Sequence, residues 1–170
     1  MALVFGVIDE VREPKEFFDL NPGELEQVVL VVRSAFGREL EYDDIYRHVT
    51  CPEKVYLLRQ NGFISAMGSY NRRIFSGLPS LIVEGIAVAP EMQGKEVFKE
   101  ITNIAHEGEP IICLRTQSPL MYRALEKYCS FVYPNEAVTP EAIRVVRAEF
   151  ARYLGCEIDE NGVIKGYYGG

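Results

Sequence analysis

The sequence is poor in the residues that build metal and redox sites. It has four cysteines and two histidines among 170 residues. No two of the cysteines form a CxxC pair, so neither a zinc site nor a dithiol redox site is indicated. We interpret them as reduced thiols, at positions Cys51, Cys113, Cys129 and Cys156. His48 and His106 are too few for a histidine-rich metal site, and we interpret them as surface residues on helices. The sequence therefore predicts no metal.

Long apolar runs and basic clusters are also missing. No run approaches the roughly 20 residues that span a bilayer. Residues 3–8 are apolar but too short, and they lack the basic lead of a signal peptide, so we expect a cytoplasmic protein with no membrane partner. Lys and Arg total 18 against 25 Asp and Glu, a net charge of −7. Because phosphate neutralisation supplies most non-specific affinity for nucleic acid, no nucleic-acid partner is expected.

Several motifs of nucleotide and hydrolase chemistry are absent. The chain has no GxGxxG for a dinucleotide, no GxxxxGK[ST] for a nucleoside triphosphate and no GxSxG nucleophile elbow. Its length, with 48% hydrophobic and 25% charged residues, fits one globular domain with a sizeable core.

Periodicity in the first half predicts helices followed by a hairpin. We expect a strand over 3–8, a polar loop over 10–16, a helix that begins at 21–24 and ends at Gly37, and a second helix over 42–49. Asn61-Gly62 between apolar runs 55–58 and 63–70 indicates a β-hairpin. After a turn at 77–79, the nearly continuous apolar run 81–88 predicts the central strand of the sheet.

The second half alternates helices and short strands. Helices are expected over 92–106, 119–128 and from 139–141 to Gly155. Strands are expected over 111–114 and from 131–133, and a terminal hairpin over 157–164 with a loose tail beyond it. The fold class is mixed α/β.

An acidic group precedes the second helix and has two interpretations. It is a solvated loop and helix start, or it is the rim of a site for a cationic substrate. Its members are Glu39, Glu41, Asp43 and Asp44.

The segment IAVAPEMQGK at 86–95 resembles the acyl-CoA-binding segment of the GNAT superfamily of N-acetyltransferases. The resemblance implies a GNAT-like α/β fold, with a mixed, mostly antiparallel central sheet flanked by helices. It would extend over residues 1–154, with the hairpin and tail of 155–170 attached to it. An accidental likeness in an α/β domain of another role is the alternative.

The resemblance implies acetyl-CoA as co-substrate and assigns its contacts. Backbone groups at 86–88 would face the pantetheine, a loop from Gln93 would bind the pyrophosphate, and Ser118 would contact CoA at a helix start. The implied binding residues are Ile86, Ala87, Val88, Gln93, Gly94, Lys95, Glu96, Val97, Phe98 and Ser118.

Two loop positions depart from the family pattern. Its glycines fall at Glu96 and Phe98, and glycine is what allows the backbone to approach a ligand closely. Glu96 would also direct a negative charge towards the pyrophosphate. Alternatively, Glu96 points to solvent while Phe98 packs with Thr102 and Ala105.

Glu84 is the only ionisable residue in the apolar strand 81–88. The resemblance implies that it is the general base that deprotonates the acceptor amine. The alternative is a structural carboxylate satisfied by Tyr56, Tyr70 or Arg72. Gly85 beside it would allow a bulge that splays this strand from the next.

Tyr122 is the candidate general acid for the leaving thiolate, and a core or rim tyrosine is its alternative role. The resemblance therefore implies transfer of an acetyl group from acetyl-CoA to a primary amine, by direct attack in a ternary complex. The acceptor would be a small molecule or a peptide, and a homodimer is left open. The rival function is a non-catalytic GNAT-like binding domain that has lost normal CoA binding, which Glu96 and Phe98 favour.

Overall fold

The computed structural model describes residues 6–36 and 40–164. Within these residues a five-stranded sheet is flanked by six α-helices. The strands are β1 (Val7–Val11), β2 (Lys54–Gln60), β3 (Phe63–Phe75), β4 (Leu78–Val88) and β5 (Ile111–Cys113). The helices are α1 (Pro14–Leu20), α2 (Pro22–Phe36), α3 (Tyr42–Thr50), α4 (Val97–Ala105), α5 (Pro119–Tyr128) and α6 (Glu141–Leu154).

The sheet has the order β1-β2-β3-β4-β5 and is mostly antiparallel. Strands β1 to β4 pair with antiparallel neighbours, and β5 pairs parallel to β4. The Asn61-Gly62 hairpin is confirmed, and both of its turn residues have positive φ, 50° and 82°. The second turn lies one residue earlier than expected, at Ser76 and Gly77, so Pro79 belongs to β4. The predicted fold class is confirmed.

Two apolar clusters hold helices against the sheet. Helices α1, α2 and α3 pack over one cluster, in which α2 contributes the helically spaced Leu25, Val28, Val29 and Val32. Helix α4 inserts Val97, Phe98, Ile101 and Ala105 into the other, which we call the α4 cluster. A third, smaller cluster joins α6 to β3, β4 and β5 through Phe75, Ile82, Cys113 and Val146. The C-terminal helix is therefore packed against the strands that carry the candidate site.

Three expectations about the elements were wrong. The first strand extends to Val11, and the polar stretch expected to be a loop contains helix α1, which Pro14 begins. Residues 131–133 form no strand, and Phe131 is 77% exposed. Three apolar residues are too short a run to specify a strand, and Pro134 lacks the N–H that a ladder needs.

The third error concerns the start of α4. Residues 90–92 form a short 3₁₀ turn, and α4 begins only at Val97. Gly94 and Glu96 both have positive φ, 79° and 59°, which interrupts the helix predicted from 92. The C-terminal hairpin consists of one isolated bridge, Ile158 with Ile164. Residues 3–5, Gly37 and the tail beyond 164 lie outside the described residues.

No helix in the described part of the chain is both long and apolar enough to cross a membrane.

Candidate functional site

Strands β4 and β5 separate soon after they pair. Their parallel register covers only Ser80, Leu81 and Ile82 of β4. Within the described residues, the rest of β4 up to Val88 pairs with β3 on one side and with no strand on the other. On that side Ile86 and Ala87 therefore have no partner among the described strands, and Val88 O accepts from a side chain of the following loop. We call this stretch the open edge of β4.

A β-bulge lies at Glu84, where this opening begins. Ser69 of β3 pairs with Gly85 and Tyr70 pairs with Val83, so Glu84 is the extra residue on β4. A bulge re-aims a side chain that the regular pleat would direct elsewhere. A Cβ at Gly85 would lie 3.2 Å from Ser69 Oγ, so position 85 leaves little room for a larger residue. The bulge expected beside Gly85 is present, and it displaces Glu84 itself.

Three side chains form what we name the base cluster: Asn71, Glu84 and Tyr153. Asn71 Nδ2 donates to Glu84 Oε1 at 2.9 Å, and the Tyr153 hydroxyl donates to the same oxygen. Asn71 Nδ2 also lies 2.9 Å from the Tyr153 hydroxyl. Both donors to the half-buried Glu84 carboxylate therefore converge on one of its oxygens.

The base cluster has one charged pair beside it. The Arg73 guanidinium lies 5.3 Å from the centroid of the Tyr153 ring and pairs with Glu53 at 2.6 Å. Burial, with the adjacent Glu84 carboxylate, raises the pKa of Tyr153 to about 12. The phenol therefore stays protonated at neutral pH and acts as a donor.

The partners suggested for Glu84 from sequence were wrong. The Tyr70 hydroxyl is buried against Thr102 Oγ1 at 2.9 Å, and Arg72 pairs with Glu109 at 2.6 Å. Tyr56 is buried with its ring edge-on to that of Tyr70. These residues lie in the α4 cluster or beside it, because Tyr70 and Arg72 pair with Val83 and Leu81, which face the opposite side of the sheet from Glu84.

The loop at 93–96 and the start of α4 form the region assigned to the pyrophosphate. Gln93 Nε2 donates to Val88 O at 3.1 Å and so joins the loop to the end of β4. No side chain caps the N-terminus of α4, so its first-turn N–H groups have neither a cap nor an intrahelical acceptor. Such N–H groups are suited to an anion. Gly94 has open space around it, and Lys95 is exposed.

The structure separates the two altered loop positions. Glu96 is exposed and has left-handed backbone angles, φ 59° and ψ 28°, which favour glycine. Val97 and Phe98 are buried in the α4 cluster. The Phe98 ring lies edge-on to the Tyr128 ring, with 6.5 Å between the ring centroids. The alternative arrangement of these positions, with Glu96 towards solvent and Phe98 packed inward, is the one observed.

Tyr122 and Ser118 lie on α5 with local partners. The Tyr122 hydroxyl donates to Pro134 O at 2.6 Å. Ser118 is the N-cap of α5, and its hydroxyl accepts from the Met121 N–H at 3.4 Å. The roles of Tyr122 as general acid and of Ser118 in CoA binding stay predictions.

The two histidines and the acidic residues before and within α3 make local contacts with backbone or helix ends. His48 and His106 each contact a backbone oxygen, of Asp44 and of Glu109 respectively. Asp43 and Asp44 lie in the first turn of α3, where carboxylates stabilise a helix, and Glu39 is outside the described residues. No group of three or more metal-ligating side chains occurs among residues 6–36 and 40–164.

A surface groove of about 510 Å³ lies elsewhere, between β1 and α1. Its lining includes Asp9, Glu16, Leu20 and Arg59, and none of the predicted site residues. Arg59 is already paired with Asp9 at 2.6 Å and Glu24 at 2.7 Å. We therefore place the candidate site at the open edge of β4.

Solved N-acetyltransferases have this architecture. A ribosomal-protein-alanine N-acetyltransferase from Brucella melitensis biovar Abortus 2308 matches 79% of this chain and 99% of its own, with a TM-score of 0.56 and 12% identity. An aminoglycoside N-acetyltransferase in complex with CoA matches 79% of this chain and 93% of its own, with a TM-score of 0.55 and 14% identity. An aminoglycoside acetyltransferase from a soil metagenomic sample matches 80% and 93%, with a TM-score of 0.52 and 15% identity.

The chain therefore has the fold of the GNAT superfamily of N-acetyltransferases, and the resemblance seen at 86–95 is confirmed at the level of the fold. No protein-family model matches the sequence, and no curated protein matches it.

Sequence reasoning missed Tyr153 and Asn71. Tyr153 lies 69 residues beyond Glu84, in a helix whose periodicity predicted only core packing. Asn71 follows the run 63–70 that was expected to form a hairpin strand, and the sequence assigned it no role. No local signal pairs these two residues with Glu84, because the contacts depend on the register of β3 with β4 and on where α6 packs.

Proposed function

We propose that this protein transfers an acetyl group from acetyl-CoA to a primary amine, with Glu84 as general base. The observation that carries the proposal is a half-buried carboxylate at a bulge of β4, close to the point where β4 and β5 part. The same strand continues through Ile86 and Ala87, which have no strand partner on that side in the described part of the chain, towards the loop at 93–96 that precedes α4. The solved relatives of this fold that are N-acetyltransferases support the chemistry.

The reaction needs one bond formed and one broken. The amine nitrogen attacks the acetyl carbonyl carbon, so a C–N bond forms and the thioester C–S bond breaks. Glu84 accepts the proton that the amine loses. The leaving thiolate takes a proton from water or from Tyr122, and in the latter case the Tyr122 hydroxyl must first leave Pro134 O.

Acetyl-CoA would be bound mainly by backbone groups. The open edge at Ile86, Ala87 and Val88 would hold the pantetheine, and the loop at 93–96 with the first N–H groups of α4 would hold the pyrophosphate. Lys95 supports an anion there, whereas the Glu96 charge opposes it.

The proposal is tested by release of free CoA thiol with a panel of amines, with the acetylated product identified by mass spectrometry. The panel contains an aminoglycoside, a peptide with N-terminal alanine and glucosamine, which are cationic amines. We expect acetyl-CoA-dependent acetylation of at least one amine class by the wild type and a large loss in Glu84→Gln. No acetylation of any amine, together with no binding of acetyl-CoA, would favour the rival non-catalytic domain that has lost normal CoA binding, which Glu96 supports.

A further inference from the structure

We propose that Tyr153 and Asn71 are positioning residues that fix the Glu84 carboxylate, so that its second oxygen, Oε2, takes the proton of the acceptor amine. This inference rests on the proposed function and adds residues that neither the motif at 86–95 nor the helix α5 supplies.

The first step of the argument is the convergence of donors. Asn71 Nδ2 and the Tyr153 hydroxyl both donate to Glu84 Oε1. Within residues 6–36 and 40–164, no hydrogen bond reaches Oε2. Two donors on one oxygen restrict rotation of the carboxylate and leave the other oxygen to act as acceptor.

The second step is that both donors are themselves held. Asn71 Oδ1 accepts the Glu53 backbone N–H at 2.8 Å, which fixes the amide so that its nitrogen faces Glu84. The Tyr153 ring stacks on Phe150, with centroids 6.2 Å apart, and lies edge-on to Phe75 at 6.2 Å. The carboxylate is thus anchored to β3 and to α6 at once.

The third step concerns charge. The titratable groups around Glu84 are Tyr153 from α6 and, beyond its ring, Arg73 from β3 with its partner Glu53. The Tyr153 phenol is protonated at neutral pH and Asn71 Nδ2 carries hydrogens at any pH, so both groups act as donors to the carboxylate. Loss of the Tyr153 hydroxyl should therefore loosen the orientation of Glu84.

The experiment compares Tyr153→Phe with Tyr46→Phe. The first keeps the ring and its packing and removes only the hydroxyl. The second is a matched control, because the Tyr46 hydroxyl also donates to a carboxylate, that of Asp19, at 2.7 Å. We expect kcat to fall about tenfold in Tyr153→Phe, the order of one hydrogen bond to a charged group. The Kd of acetyl-CoA should stay unchanged, and Tyr46→Phe should behave as wild type.

A double change separates positioning from general stability. In a Glu84→Gln background, Tyr153→Phe should cause little further loss, because the oriented carboxylate is already gone. An equal loss with and without Glu84, or an unchanged kcat in Tyr153→Phe, would overturn the inference. Failure of the proposed function would look different, as a wild type that acetylates no amine.

Asn71→Asp provides a second variant. It keeps an oxygen for the Glu53 N–H and replaces the donor to Glu84 with an acceptor. We expect a larger loss of kcat than in Tyr153→Phe, because the donor is lost and two carboxylates then repel each other at the site. Wild-type kcat in this variant would contradict the role of Asn71.

Discussion

Glu84 of the base cluster and Glu96 of the loop at 93–96 lie close together in the sequence but have opposite environments. Glu84 is half-buried, displaced by a bulge and held by two donors. Glu96 is exposed, has a left-handed backbone and makes no capping hydrogen bond to α4. One glutamate is supported by distant parts of the chain, whereas the other occupies a backbone conformation that suits glycine. The region to which our proposal assigns the amine is therefore held by more side-chain contacts than the region to which it assigns the pyrophosphate.

The largest expected effect is a loss of folding stability at Phe98, which packs in the core although the loop before it is exposed. Phe98→Ala should lower the free energy of unfolding by about 3–5 kcal/mol, because it empties a position in the α4 cluster. Lys99→Ala, at the exposed next position, is the control and should cost little. Chemical denaturation measures both. Equal and small costs would mean that Phe98 does not pack as described.

Glu84→Gln tests the base cluster itself. Turnover should fall on the order of 100-fold, the usual contribution of a general base, while the Kd of acetyl-CoA stays near the wild-type value. Steady-state kinetics on whichever amine is acetylated, with calorimetry for acetyl-CoA, supply the two numbers. A variant as active as the wild type would remove Glu84 from the mechanism.

Glu96→Gly tests the loop. It should tighten acetyl-CoA binding by about fivefold, the order of one charge pair in water. It should also raise the free energy of unfolding by about 1 kcal/mol by relieving the left-handed conformation. Glu96→Gln is the matched control, because it removes the charge and keeps the backbone cost. This control should bind acetyl-CoA more tightly without a gain in the free energy of unfolding. If neither variant binds acetyl-CoA more tightly, the loop does not contact the pyrophosphate.

The smallest expected effect is a lower pKa of the Tyr153 phenol in one variant. Burial first, and then the hydrogen bond to Glu84 and its negative charge, hold the pKa of Tyr153 at about 12. Glu84→Gln keeps an oxygen that can accept the hydrogen bond but removes the charge, so Tyr153 should ionise at a lower pH in that variant. Difference absorbance of the tyrosinates during an alkaline titration measures this shift. The same comparison in a Tyr153→Phe background should show no change, and a shift that persists there would assign it to another tyrosine.

The raised pKa also has a stability consequence. The unfolded chain releases the Tyr153 proton near the ordinary tyrosine value, about 10, and the folded chain holds it to about 12. The stabilisation is therefore fully present below pH of about 10 and is lost as the pH rises towards about 12. Tyr153→Phe should show a shallower fall of stability over this interval in alkaline denaturation.

The sequence predicted those parts of the fold that are encoded locally. Asn61-Gly62 specified a hairpin, and the apolar run at 81–88 specified the strand that lies between β3 and β5. It failed where a tertiary contact decides the outcome. The polar stretch 10–16 was expected to be a loop, but α1 begins within it. The run 131–133 was expected to be a strand, but it forms none.

The candidate site divides in the same way. Glu84 was recognisable because a lone carboxylate in an apolar strand is a local signal. Its partners were not, since Asn71 reaches it through the pairing of β3 with β4 and Tyr153 through a helix packed from a later part of the chain. The left-handed backbone at Glu96 could be suspected only because the resemblance placed a glycine there.

Acetyl-CoA binding is the central requirement of this account, and calorimetric titration of the purified protein at low and moderate salt tests it most directly. The open edge of β4 and the uncapped start of α4 predict binding in the micromolar range that weakens with salt. No heat of binding at millimolar acetyl-CoA would contradict the account and would leave the fold as that of a binding domain without acetyl transfer.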